Sequence, residues 1–456
     1  MLIRFIVENY LSYKKRMEFA MLPGKVRRME DHLINIGDIN LLKCGVIYGA
    51  NASGKSNLIK AVMFSSDIIT KGLENINTSN KYFRIDEECK DTPSIFEYEI
   101  SVNEEVYSYG FAVILSTKKI IEEWLYLKKN NSEECIFDRE WLEGETTIKT
   151  DINFSNSKVK NRFEVYKEDI KGMHQKLFLA EIANKNIEDI KEIRIFKDIY
   201  DWFKDNLIVI FPSTKYLGVN RIATDLKQKE IFSKYLNYFD TGITDIKSKS
   251  IDTDEFFNKL PNEVKLEYEN MKQGMHTVLI LENKVYSIEK SNNGKIDINK
   301  LGIEHNHSKD LFELEEESDG TVRLFDLIPL LSLMLKGKTI FIDEIDRNFH
   351  PKLTIEFIKL FYKLSGENKT QLIVTTHESH LLDLNLFRRD EIWFAERDND
   401  SNSKIYSLDV FQDRYDKKVE KDYLIGRYGA IPIFNYFDTF IPGGNSNEQI
   451  ANSDKI

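Results

Sequence analysis

Eight consecutive residues, Gly49-Ala-Asn-Ala-Ser-Gly54-Lys55-Ser56, limit what this chain can fold into more than any others. They fit the pattern G-x-x-x-x-G-K-[ST] at every fixed position. Glycine lets backbone N–H groups wrap a row of phosphates with no Cβ in the way, and a helix opening behind the loop adds its positive end. The flanks suit that reading. Residues 41–48 (LLKCGVIY) form a short, nearly continuous apolar run of the kind found in a strand buried on both faces. From Lys55 onward the apolar spacing turns helical, at Leu58, Val62, Ile68 and Ile69. Gly49, Ala50, Asn51, Ala52, Ser53, Gly54, Lys55, Ser56 and Asn57 are therefore candidates to hold the phosphates of a nucleotide such as ATP. Lys55 is placed to reach the β- and γ-phosphates, and the Ser56 hydroxyl to ligate Mg²⁺.

A phosphate loop needs an acidic partner on a neighbouring strand. Thr339-Ile-Phe-Ile-Asp343-Glu344 supplies one, an apolar β-branched run that ends in two acids. Asp343 is placed to hold Mg²⁺ through water, and Glu344 to polarise an attacking water as a general base. Much more chain separates this pair from Gly49 than a compact nucleotide-binding domain needs, so something is inserted.

Residues 94–127 run with period two at Phe96, Tyr98 and Ile100, then Tyr107, Tyr109 and Phe111. That predicts an antiparallel meander with its turn at Asn103 and Glu104. Residues 128–300 mix polar loops with a helical stretch at 187–203 and strands at 207–211 and 278–281. An α/β pattern then returns: a helix after Gly320, a strand at 339–342, a helix at 351–364, a strand at 371–375 and a last one at 391–396. The expected fold class is α/β, with its two parts at 1–127 and 301–442. Residues 128–300 are expected to be an inserted, partly helical domain, and 443–456 a polar, disordered tail.

Charge and composition narrow the setting. The chain has 456 residues, 41% hydrophobic and 30% charged, which suits a globular protein of two or three compact units. Its net charge of −11, from 75 acidic against 64 basic residues, means the chain as a whole is not drawn onto nucleic acid or anionic membrane. The three cysteines, Cys44, Cys89 and Cys135, lie far apart, with neither a disulfide framework nor zinc spacing. No apolar run approaches the roughly 18 residues of a membrane helix, and the N-terminus lacks the apolar core of a signal peptide. A cytoplasmic location is expected.

Three further features surround the acid pair. Ser318-Asp319-Gly320-Thr321 is a small-residue turn at the start of a helical run, a good place for a γ-phosphate. Asp346 follows Glu344 closely, and Ile373-Val-Thr-Thr-His377 puts a histidine at the end of the next strand. With these in place the chain resembles the ABC-type ATPases related to RecF and SMC heads. It is most similar to the AAA-type ATPases of bacterial abortive-infection and anti-phage systems, of the AbiL, Septu and PARIS kinds. The resemblance rests on residues 5–12 and the phosphate loop, on Glu317-Ser-Asp-Gly-Thr-Val-Arg-Leu-Phe-Asp-Leu-Ile-Pro-Leu-Leu331, on the segment from the acid pair to His377, and on Tyr423-Leu-Ile-Gly-Arg-Tyr-Gly-Ala-Ile-Pro432.

That resemblance implies an ABC-type head with an antiparallel β subdomain, working as a homodimer or higher homo-oligomer that sandwiches two ATPs. Lys55 and Ser56 of one copy would face Ser318 and Gly320 of the other. Glu344 would be the catalytic base, helped by Lys55 and by His377 as a switch histidine, with Asp346 in the interface loop. The function implied is a sensor and switch in phage defence that controls a separately encoded effector, a nuclease or toxin. The alternative is a RecF-like repair ATPase that binds DNA directly. Such heads also use a glutamine near Mg²⁺, and none stands in the meander; the first after the phosphate loop is Gln175, within the insertion. The chain has no long heptad run, against the coiled coils of chromosome-organising relatives.

Three other features read more simply as structure. Glu304-His305-Asn306-His307 contains the letters HNH but not the spread of ligands a nuclease hairpin needs. Glu396, Asp398 and Asp400 read as a hairpin turn. Pro329 should bend the helix after Gly320 or remove one of its hydrogen bonds.

Overall fold

The first strand follows from alternating apolar residues, but a bulge decides where they go. In the computed structural model, which describes residues 1–432 apart from 130–131, 143, 188, 215–225, 283, 307–309 and 412–417, β1 (Leu2–Glu8) pairs with β2 (Met17–Ala20). Its register against the meander shifts between Leu2 and Arg4. A one-residue shift turns a side chain to the opposite face. Leu2, Phe5 and Val7 accordingly enter the large core, while Ile3 joins Ile34, Ile36 and Leu41 in a small one. The expected disordered tail lies outside the described residues.

A short hairpin, β3 (Leu33–Ile36) and β4 (Ile39–Leu42), leads into β5 (Cys44–Tyr48), whose five residues are all buried. The phosphate loop and α1 (Lys55–Lys71) follow. The meander comes next: β6 (Ser94–Val102), β7 (Glu105–Ile114), β8 (Lys119–Lys129), β9 (Ser132–Leu142) and β10 (Glu145–Lys149). Together with β1 and β2 these make one seven-stranded antiparallel sheet, which runs past residue 127 by two strands.

The helical stretch expected at 187–203 starts later. Turns at Ile187–Ile190 and Ile190–Ile193 hold the chain out of a helix until Arg194, and a π turn at Trp202–Asn206 then delivers it into β11 (Leu207–Ile210). That strand does not stay with the inserted segment: it lies parallel to the strand of the acid pair. Its continuous apolar sequence, Leu-Ile-Val-Ile, suits a place in a parallel sheet covered on both sides.

Helix α2 (Leu226–Tyr238) opens the remainder of the insertion. Strands β12 (Ile243–Ser250), β13 (His276–Leu281), β14 (Lys284–Lys290) and β15 (Ile296–His305) form its four-stranded antiparallel sheet. After it come α3 (Asp319–Leu333), β16 (Thr339–Ile342), α4 (Pro351–Ser365), β17 (Gln371–Thr375), β18 (Ile392–Arg397) and β19 (Ser403–Ser407).

The central sheet has the order β11-β16-β17-β5-β18-β19, parallel except for β19 at its edge. Alternation on these strands separates two cores. Ile47, Phe341 and Ile373 face α1 and the meander, whereas Val46, Ile340, Ile342, Leu372 and Val374 face α3 and α4. The fold is mixed α/β, with the antiparallel sheet on one side of the parallel one. Gln371 locks the two layers: its buried amide accepts from Leu2 N at 2.7 Å and donates to Leu2 O at 2.8 Å. Pro329 sits inside α3, as its sequence position requires.

Candidate nucleotide-binding site

Parallel strands point the same ends at the same place, so the loops after β5, β16 and β17 meet at one edge of the sheet. The loop after β5 is the phosphate loop. Its glycines are required by close approach: a Cβ at Gly49 would lie 2.3 Å from the Ala395 carbonyl oxygen, and one at Gly54 would lie 2.4 Å from Ser403 Oγ. Ala52 holds a left-handed backbone, φ 63°. The Lys55 ammonium donates to the loop's own carbonyls, Gly49 O at 2.6 Å and Ala50 O at 3.0 Å, and lies 3.4 Å from His377 Nδ1. Burial pulls its pKa down to about 8, against the attraction of Asp343, Asp346 and Glu344. Burial, then the Lys55 charge, lowers the pKa of His377 too, which favours the neutral ring.

The acid pair comes to the same place. Ser56 Oγ donates to Asp343 Oδ1 at 3.0 Å, so the two expected Mg²⁺ ligands touch. Glu344 has a left-handed backbone, φ 50°, and its carboxylate is 3.5 Å from Arg347. Asp346 accepts the His377 backbone N–H at 3.3 Å, which brings the loop after β16 against the end of β17. A cleft of about 510 Å³ opens over these groups, lined by Ser56, Asn57, Glu344 and His377 among others. Asn57 also donates its amide to Ser12 Oγ at 2.8 Å, tying α1 to the segment after β1.

Ser318 and Gly320 are elsewhere. Ser318 caps α3, accepting from Thr321 N at 3.1 Å, and a Cβ on Gly320 would meet Asn348 O at 2.8 Å. Both residues line a second cleft, of about 540 Å³, with Thr241 from the inserted segment and with Asn348 and His350. Residues of the phosphate loop line the first cleft and not the second. One chain therefore presents two separate clefts, each with part of the expected site.

The inserted sheet is built onto α3. Phe232, Leu236, Ile243, Ile246 and Ile303 share one buried cluster with Leu324, Phe325 and Ile328. His305, at the end of β15, pairs with Glu317 at 2.5 Å, next to the Ser318 cap. His305 is therefore held in a structural hydrogen bond; His307 lies outside the described residues. Among the described residues no group of His, Cys, Asp and Glu is arranged to hold a metal by itself. Of the acids from Glu396 to Asp400, Asp398 and Asp400 form the β18–β19 turn, where Asp398 Oδ1 accepts from Asp400 N at 3.0 Å and Asn402 N at 2.9 Å, while Glu396 lies within β18 opposite Lys404. Gln175 does not line the nucleotide cleft, and neither does any other described glutamine. No described helix is long and apolar enough to cross a membrane.

One residue in this geometry has no counterpart among the sequence candidates. Thr375 Oγ1 donates to Asp343 Oδ1 at 2.6 Å and accepts the Glu344 backbone N–H at 2.8 Å. A threonine at a strand end is common, and only its place in period two with Ile373 set it on this face.

Comparison with known proteins places the chain. Among solved structures it is similar to an SMC head bound to the C-winged helix domain of ScpA, at 13% identity and TM-score 0.40 over 89% of this chain and 97% of that one. It is similar also to the SMC head domain from Thermotoga maritima, at 12% identity and TM-score 0.36 over 89% and 98%. No curated protein matches it. The model of one family does match, over residues 45–173 and 218–383, more than half of the chain. The span takes in the phosphate loop, the Ser318 turn, the acid pair and His377, and by it the chain belongs to the AAA-domain family described as putative AbiEii toxin, Type IV TA system.

Proposed function

We propose that the chain binds and hydrolyses ATP as a head-to-head dimer, and that this cycle switches a separately encoded effector in anti-phage defence. The observation that carries the reading is the separation of the two clefts. The phosphate loop, Asp343 and Glu344 line or border one, and Ser318 and Gly320 line the other. A second copy related by a two-fold axis would bring each cleft to face its complement.

Within that reading the backbone of residues 49–56 and the Lys55 ammonium hold the triphosphate. The residues fit Mg²⁺, since the Ser56 hydroxyl and the Asp343 carboxylate already lie 3.0 Å apart at the cleft. Bound there, the ion would neutralise phosphate charge. Glu344 takes the proton of the attacking water. His377, neutral beside Lys55, donates a hydrogen bond toward the γ end, and Asp346 holds its backbone in place. Ser318 and Gly320 present the start of α3 to the nucleotide of the other copy.

The defence role rests on the resemblance set out above and on the family's description as a putative toxin of a toxin–antitoxin system. The part of the insertion beyond β11 is the natural control surface, because it shares a core with α3. Glu344→Gln is the direct test. That variant should bind ATP, fail to turn it over and accumulate as dimers in size-exclusion chromatography. Wild-type turnover by it would remove Glu344 from the role of base. Tight, salt-sensitive, ATP-dependent binding to DNA by the chain alone would favour the RecF-like alternative.

A further inference from the structure

We infer that Thr375 is a positioning residue of the nucleotide site, one hydroxyl that fixes both the carboxylate meant for the divalent cation and the backbone of the proposed base. The inference rests on the ATP-binding reading above and adds a residue that neither motif contains.

The geometry uses both capacities of the hydroxyl. Its O–H is given to Asp343 Oδ1 at 2.6 Å, and a lone pair accepts the N–H of Glu344 at 2.8 Å. Asp343 Oδ1 takes a second hydrogen bond from Ser56 Oγ at 3.0 Å. Its carboxylate is therefore oriented from two sides, by the helix after the phosphate loop and by the tip of β17. Glu344 has the left-handed backbone of φ 50°, which a residue with a Cβ adopts only when its surroundings hold it there. The Thr375 bond on its N–H is part of that hold.

Position in the sheet makes Thr375 suited to this. β17 lies between β5 and β16, the strands that carry the phosphate loop and the acid pair. Its last residues touch both neighbours: Thr376 N donates to Ile47 O at 3.1 Å, and Ile345 N donates to Thr375 O at 3.1 Å. Thr375 is fully buried. Loss of its hydroxyl would leave the Glu344 N–H without the acceptor that fixes it. Groups that orient a metal ligand typically change metal affinity by about 10- to 100-fold when removed.

The test compares Thr375→Val, close in shape but without the hydroxyl, with Thr375→Ser, which keeps it. Binding of Mn²⁺ to the full chain with excess ATP is followed by electron paramagnetic resonance, and ATP binding is measured separately in EDTA. Thr375→Val should need about tenfold more Mn²⁺, with metal-free ATP binding within about twofold of wild type, and Thr375→Ser should return the Mn²⁺ midpoint to near wild type. A wild-type midpoint in Thr375→Val would overturn the proposal. So would a Ser variant as impaired as Val, or loss of metal-free ATP binding in Val, which would mark the hydroxyl as support for the fold alone. If the wild-type chain bound no ATP, the nucleotide reading itself would fall, and the inference with it.

Discussion

Lys55 carries its ammonium into a place where burial works against the charge, and the consequence is a definite pH dependence. The unfolded chain protonates lysine near 10.5, whereas in the folded chain the value falls to about 8. Below about pH 8 the proton is present in both states, and holding it in the folded site costs stability. That cost shrinks as pH rises from about 8 toward 10.5. Two outcomes follow at this scale. Lys55→Met should raise the melting temperature of the nucleotide-free protein at pH 7 while abolishing ATP binding. In the wild type, ATP binding should weaken roughly tenfold between pH 7 and pH 9, because the free protein loses the proton that the triphosphate needs. A flat titration calorimetry profile across that range would contradict the second. The motif residues were legible because a phosphate loop states its chemistry in fixed spacing. Thr375 was not, because its role exists only once β17 lies beside β16.

At the scale of elements, the sequence ran β4 and β5 together as one strand at 41–48 and took 391–396 for the last strand, missing β19, but it announced β16, α4, β17 and β18 to within a residue. It did so because strands buried on both faces leave continuous apolar runs, such as Thr339–Ile342 and Gln371–Thr375. What local pattern cannot announce is which sheet a strand joins. Leu207–Ile210 reads as a strand, and its pairing with β16 depends on residues far away in the chain. The attachment of the inserted sheet to α3 is of the same kind. Leu236, fully buried, packs in the cluster that also holds Leu324 and Phe325. Leu236→Ala should cost about 3 kcal/mol, and a shared core makes that loss appear in the unfolding of α3 as well as of the insertion. Chemical denaturation followed by circular dichroism should show one transition moved to lower denaturant. An early separate transition, with the main one unmoved, would mean that the inserted sheet unfolds on its own.

For the whole molecule, the two-cleft arrangement makes a prediction that single variants cannot test. Lys55→Met and Ser318→Arg should each abolish turnover when present alone, because every composite site then lacks one half. Mixed in equal amounts, half of the dimers would pair one of each, and one of their two sites would be intact. The mixture should recover roughly a quarter of wild-type ATPase activity, the share expected from random pairing in a two-fold assembly. No recovery on mixing would count against the dimer. The place of β11 bears on a different matter, the history and engineering of such chains. Because Leu207–Ile210 is stitched into the central sheet, the middle of this protein is not a cassette that recombination could lift out at its sequence boundaries. A graft from a related chain must be cut downstream of Ile210, and must also bring apolar side chains to cover Leu324, Phe325 and Ile328. Changes confined to the loops of the inserted sheet would leave that shared core intact, whereas exchange of the whole sheet would not.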